Sequence, residues 1–330
     1  MAASSHGRGR TMISGEKILV TGVTGGVARP IAEYLARTNE VWGAARFLSP
    51  DDPAREGREI RITELTPREE IEAAGIRTCA VDLGSGDLSA LPEDFTYVIH
   101  GAFARVPNRP DQFALAYRAN ADGPGFLWQH CRKAKAALLI SAGTIYAPNP
   151  ATSHRYAESD PLGGAKAYWS PASPVSKLIT EAVAGSCARM FNLPTTIARL
   201  FMPWGTPRLG PSLDIERMKR GEAIMLVNGP QPQTLIHVDD ICDQIEAMLD
   251  AASVPACVSN WAGDDEVSSR EWTEIAARRL GLEAKFEEVD VVGAHGGFLA
   301  DASKRQSLTG PCKVRFADAY GPLIDRYHGN

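Results

Sequence analysis

Residues 19–36 read LVTGVTGGVARPIAEYLA: an apolar run, a glycine-rich turn, then apolar positions at helical spacing through Ile31, Ala32, Leu35 and Ala36. The run begins at Lys17, as KILVTG, and has the length and composition of a buried strand. Gly22, Gly25 and Ala28 follow at three-residue intervals. Gly22 permits the tight turn that ends the strand. Gly25 lets the backbone approach a pyrophosphate, whose charge a helix N-terminus favours, and Ala28 is small enough for close helix–strand packing. The competing reading is a glycine-rich turn that holds no ligand. The rest of the chain argues against it.

Five more strand-like runs follow: EVWGAAR (40–46), IRTCAVDL (76–83), FTYVIHGAF (95–103), AALLISAGTIY (136–146) and PTTIARLF (194–201). Helical patterns lie between them, one from about Asp111 to Ala136 and one in PVSKLITEAVAGSCARMF (174–191). Strands alternating with helices imply right-handed crossovers and a parallel sheet covered on both faces. The expected fold is therefore α/β, a doubly wound parallel Rossmann sheet with a smaller C-terminal substrate-binding region. Residues 1–14 read as a tail, 15–205 as the dinucleotide-binding domain and 206–330 as mainly the substrate-binding region, with the chain free to cross between the two.

The bulk composition is that of a soluble globular protein: 330 residues, 44% apolar, 23% charged, formal charge −5. No basic run points to nucleic acid, no stretch reaches membrane-spanning length, and the first residues lack the apolar core of a signal peptide. The six cysteines are scattered without a C-x-x-C pair, which predicts reduced thiols in a cytoplasmic protein. The histidines show no ligand spacing, so no metal is expected.

The end of the second strand selects the cofactor. An acidic residue there binds the ribose 2′-hydroxyl of NAD, but this chain has Arg46 and no nearby carboxylate. A guanidinium pairs with a 2′-phosphate, so NADP(H) is favoured, with NAD possible. The bland reading of Arg46 is a solvated strand end.

Taken in order, TGVTGGVA, AVDL, VIHGAF, RAN, LLISAGTIY, SKLITE, IARLFMPWG, LIHVDDI and DASKRQSLTG resemble the extended short-chain dehydrogenase/reductase family, which includes NAD-dependent epimerases and dehydratases. The resemblance spans about Lys17 to Gly310. It implies that Gly22, Gly25, Gly26 and Val27 form the phosphate turn, and that Asp82 and Leu83 border the adenine. It also implies that Ala102 and Pro203 line the cofactor cleft, that Asn120 holds the kink of the fourth helix, and that Lys177 binds the nicotinamide ribose. A homodimer through helices around 112–135 and 174–190 is implied as well. Ser141 is the active-site serine when ISAGTIY is set against the reductase pattern. Against the epimerase pattern the hydroxyl position falls on Ala142, and Thr144 is a spare hydroxyl nearby.

The resemblance breaks in YWSPASPVSK (168–177). The family's catalytic tyrosine stands four residues before the lysine, where this chain has Ser173. A tyrosine pKa near 10 is lowered toward working pH by the lysine cation, whereas an aliphatic hydroxyl is far less acidic. Ser-Pro is also a good helix start, with Ser173 as N-cap. Tyr168 is the natural substitute, reaching back from the preceding loop, and Tyr146 is a weaker one. The acid has either moved or been dispensed with.

Family members that hold a nucleotide diphosphate use an arginine four residues before the histidine of IHV, and here that position is Gln233. A neutral amide makes no bidentate contact to phosphate; Arg208, Arg217 and Arg305 are candidate replacements. The cleft candidates Phe103, Trp169 and Trp204 lean apolar. The expected function is an NAD(P)H-dependent oxidoreductase acting on the carbonyl, alcohol or enone of a fairly apolar small molecule. The alternatives are an epimerase or dehydratase of a sugar derivative with tightly bound nicotinamide, and a non-catalytic NADP sensor.

Overall fold

The structure is a computed structural model that describes residues 13–48, 67–104, 114, 117–167, 170–207 and 209–327. Strand β1 (Lys17–Thr21) passes through the glycine turn into helix α1 (Ala28–Leu35) and strand β2 (Glu40–Ala45). Helix α2 (Arg68–Ala73), β3 (Arg77–Ala80) and β4 (Tyr97–His100) come next. A π-helical turn (Arg118–Asp122) runs into α3 (Gly123–His130), then β5 (Ala136–Ala142), β6 (Arg155–Tyr156), α4 (Ser173–Phe191) and β7 (Thr195–Leu200). The later elements are β8 (Met202–Trp204), α5 (Pro211–Lys219), β9 (Ile224–Val227), β10 (Pro232–His237), α6 (Val238–Asp250), β11 (Cys257–Trp261) and β12 (Asp265–Ser268). Helix α7 (Ser269–Leu280), β13 (Phe286–Val289), β14 (Leu299–Ala300), α8 (Ser303–Thr309) and α9 (Phe316–Asp325) complete the chain.

Seven strands form one parallel sheet in the order β11-β7-β5-β4-β1-β2-β3. The order reverses between β1 and β4, the crevice in which open α/β sheets bind ligands at their carboxyl edge. One face is closed by α1 and α6, through Ile31, Leu35, Ile241, Ile245 and Met248. The other is closed by α3 and α4, through Leu127, Trp128, Ala184 and Cys187. Both faces being dry explains the nearly continuous apolar runs of β1, β4 and β5.

After residue 205 the chain crosses back: α6 and β11 return to the main sheet, and β11 pairs in parallel with β7, Ser259 opposite Ala198. One expectation needs correction. Trp204 is not a cleft residue: it is 1% exposed in the smaller core, with its ring 5.1 Å from Phe316 and 4.6 Å from His237. Among the described residues no helix is long and apolar enough to cross a membrane, and no cluster of His, Cys, Asp and Glu has the makings of a metal site.

Candidate active site

The turn after β1 fits a dinucleotide on steric grounds. Gly22 has φ +75°, and a Cβ there would lie 2.6 Å from the backbone nitrogen of Ala102. No other residue type both tolerates that φ and leaves room for the approach. Gly22 N donates to Ala44 O at 2.8 Å and Gly25 N to Gly22 O at 2.8 Å, which closes the turn beneath the start of α1. Gly26 and Val27 are half-buried at that end, and the first turn of α1 carries no acidic side chain to repel a phosphate. Behind the turn, Thr21 Oγ1 and His100 Nδ1 meet at 2.7 Å. Burial, with help from the nearby Lys177 charge, pulls the His100 pKa down to about 3.

Asn120 ties the loop after β4 to α4. Its Oδ1 accepts from Ala104 N at 2.8 Å, while Nδ2 donates to Ala104 O at 2.7 Å and to Ser176 Oγ at 2.9 Å. It lies in the π-helical turn that leads into α3. Thr180 Oγ1 donates to Asn120 O at 2.7 Å, so α4 is held against that turn from both sides.

Lys177 lies one turn inside α4. Its Nζ donates to Ile140 O at 2.9 Å and stands 4.4 Å from the centre of the Phe103 ring. Burial of the ammonium pulls its pKa down to about 8, against the opposing pull of Glu181 one turn further on. Glu181 is itself held by Arg199, Nη2 to Oε2 at 3.0 Å. Gly22, Ala102, Phe103 and Lys177 are thus brought together by direct contacts.

The other candidates fall elsewhere. Ser141 Oγ is buried without a hydrogen-bond partner, at a point where β5 is still paired with β7, Ser141 opposite Arg199. Ala142 and Thr144 beside it are partly exposed. Tyr146 is fully buried: its hydroxyl donates to Asn260 Oδ1 at 2.6 Å and accepts from Arg199 Nη1 at 3.0 Å, and burial pushes its pKa up to about 12. Ser173 is not the N-cap. It is the first helical residue, with Ala172 before it, and no side chain caps the helix. Its Oγ lies 2.5 Å from Ser170 Oγ. Tyr168 and Trp169 lie outside the described residues, as does Arg208.

Asp82 is exposed and its Oδ1 accepts from Gly84 N at 3.0 Å, a turn contact, while Leu83 is buried among the residues under α3. Arg46 is half-buried at the end of β2, and Pro203 sits in β8 opposite Ile236. Gln233 Nε2 donates to Ser269 Oγ at 2.9 Å, and the fully buried Arg305 is paired with Asp264, so neither faces a substrate phosphate. Arg217 is held by Asp214 at 2.6 Å. The sequence places Phe103 and Lys177, 74 positions apart, in one cleft, and the structure adds their direct contact. Glu181 had a signal, four residues after Lys177 in SKLITE.

The model of the NAD dependent epimerase/dehydratase family matches residues 18–257. No curated protein matches. Among solved structures, UDP-glucuronic acid 4-epimerase from Bacillus cereus, in complex with UDP-glucuronic acid and NAD, superposes with a TM-score of 0.74 at 22% identity, covering 94% of this chain and 100% of its own. dTDP-glucose 4,6-dehydratase from Bacillus anthracis, in complex with NAD, gives 0.72 at 18% identity, over 96% and 97%. UDP-N-acetylglucosamine 4-epimerase from Methanobrevibacter ruminantium, in complex with UDP-N-acetylmuramic acid, gives 0.71 at 20% identity, over 96% and 99%. At these identities the likeness is one of fold.

Proposed function

The chain belongs to the NAD-dependent epimerase/dehydratase family, and we propose that within it this protein is a nicotinamide-dependent oxidoreductase acting on the carbonyl or alcohol carbon of an uncharged, fairly apolar small molecule. The observation that carries this reading is the contiguous path from the Gly22 turn through Ala102 and Phe103 to Lys177. When bound, the dinucleotide supplies hydride exchange at a carbon. Gly22, Gly25 and the start of α1 hold its phosphates, and Lys177 holds the ribose hydroxyls next to the ring that reacts.

Arg46, with no carboxylate beside it, supports NADP(H) over NAD. NAD in the solved neighbours keeps both in play. The engagement of Gln233, Arg217 and Arg305 with protein partners supports a substrate without a nucleotide diphosphate. A second reading, epimerisation or dehydration with the cofactor retained, is favoured by those same neighbours. A homodimer is supported by Val175, Ala182, Ser186 and Met190 of α4, which are exposed while Ala184, Cys187 and Ala188 face the core.

Absorbance at 340 nm separates the readings. NADPH consumption with an uncharged carbonyl compound supports the oxidoreductase. Isomerised or dehydrated nucleotide sugar with no net change at 340 nm overturns it in favour of the second.

A further inference from the structure

Of the described hydroxyls around the crevice, Thr144 is partly exposed but, as an aliphatic hydroxyl, is a weak acid, and the others are engaged or enclosed. Ser173 is turned onto Ser170 at 2.5 Å, Ser141 Oγ is sealed from solvent, and the Tyr146 hydroxyl is fixed between Asn260 and Arg199. His100 is shut in beside Thr21, with its ring 5.8 Å from that of Trp128. Lys177 differs. Its ammonium has three protons: one is donated to Ile140 O at 2.9 Å, and the others remain for the cofactor's ribose and a substrate oxygen. The Phe103 ring covers it on one side at 4.4 Å, and Phe103 directly follows Ala102, the residue that abuts the Gly22 turn.

We propose that Lys177 is itself the acid–base group of this cleft, with Phe103 as its positioning residue; this rests on the nicotinamide reading above. In the reducing direction the substrate's carbonyl carbon gains a hydride, with its two electrons, from a reduced nicotinamide dinucleotide. An N–H bond of the Lys177 ammonium breaks as the O–H bond of the product alcohol forms. Lys177 is left as a neutral amine and regains a proton from water. In oxidation the same amine takes the alcohol proton.

The surroundings suit a lysine that changes charge near neutral pH. On its own helix the charged neighbour is Glu181, and Arg199 from β7 is spent on it at 3.0 Å. From β4 it is faced by His100, neutral at working pH. Neither β5 nor the turn at 143–145 carries a titratable side chain. On the π-helical turn Arg118 and Asp122 are exposed, and His130 of α3 is engaged with Pro92 O at 2.8 Å. Burial then holds the ammonium down, in the range where a lysine serves as a general acid.

The test is competitive acetylation of the full-length protein across pH, read at Lys177 by peptide mass spectrometry with and without NADPH, beside the pH profile of turnover. The expected result is a labelling midpoint near 8, matched by the alkaline limb of reductive turnover. Phe103→Ala admits water and moves both midpoints together toward the ordinary lysine value, while Tyr168→Phe keeps turnover within about twofold. The proposal is overturned by a Lys177 midpoint near 10.5, by a kinetic limb that stays put when the Phe103→Ala labelling midpoint moves, or by a Tyr168→Phe protein that binds NADPH normally and does not turn over. A chain that NADPH neither protects from labelling nor serves in turnover fails the nicotinamide reading instead. That failure is distinguishable, because the labelling midpoint is read on the protein alone.

Discussion

Arg199 and Glu181 form a buried ion pair, Nη2 to Oε2 at 3.0 Å, with 5% and 7% of their side chains exposed. The pair joins β7 to α4 one turn beyond Lys177. It reaches further through Arg199 Nη1, which donates to Tyr146 and to Glu158 O. A single truncation leaves an uncompensated charge in the interior, whereas removing both leaves an apolar gap. Arg199→Met or Glu181→Gln is expected to cost about 3–5 kcal/mol in urea unfolding. The Arg199→Met/Glu181→Met double variant is expected to recover at least half of that loss. Additive single losses would mean that the two charges do not depend on each other.

Lys177→Met removes the ammonium that donates to Ile140 O and a desolvated charge with it. We expect NADPH affinity to fall at least tenfold, in line with losing charge-assisted hydrogen bonds of about 1.5–3 kcal/mol, with thermal stability unchanged or raised at pH 7. The sign follows from linkage. The folded value of about 8 lies below the unfolded 10.5, so this group's penalty is complete below pH 8 and is relieved as pH rises toward 10.5. Calorimetric titration with NADPH, beside melting curves at pH 7 and pH 9.5, checks both statements.

His100 is expected to add to the acid sensitivity of the fold. Its folded value of about 3 lies below the ordinary 6.5, so the unfolded chain binds one more proton between those limits. Stability from this residue is therefore full above pH 6.5 and is lost on acidification, by about 1.4 kcal/mol per pH unit at most. In His100→Gln the slope of unfolding free energy between pH 4 and pH 6 is expected to flatten by up to that amount. An unchanged slope would remove His100 from the acid response.

Arg46→Asp tests the cofactor preference. A carboxylate at the end of β2 repels a 2′-phosphate and accepts from a 2′-hydroxyl. The ratio of NADPH to NADH affinity is expected to fall by about 10- to 100-fold, most of it through weaker NADPH binding. A ratio that does not move would show that Arg46 points away from the ribose.

Much of this architecture was legible in the sequence, because strand runs and helical spacing carry their own periods, and Gly22, Gly25 and Ala28 mark where one becomes the other. Strand β11 was not. CVSNW resembles a loop-side segment until α6 is seen to cross back over the sheet and set it beside β7. Trp204 was misplaced because an aromatic just after a strand can face either a pocket or a second core, and α9 supplies the core. Ser173 illustrates a local rule overridden by a near neighbour. Ser-Pro suits an N-cap, but Ser170 stands three residues earlier and takes the hydroxyl. The pairing of Phe103 with Lys177 joins two distant strand and helix ends: the sequence places both in one cleft, and the packed fold adds their direct contact.

Hydrogen transfer itself is the most direct measurement. Protein incubated with NADPH deuterated at nicotinamide C4 and a panel of uncharged carbonyl compounds should yield an alcohol carrying deuterium on its carbinol carbon, with one equivalent of NADP+ formed. Tight NADPH binding with no deuterium in any product would contradict the account.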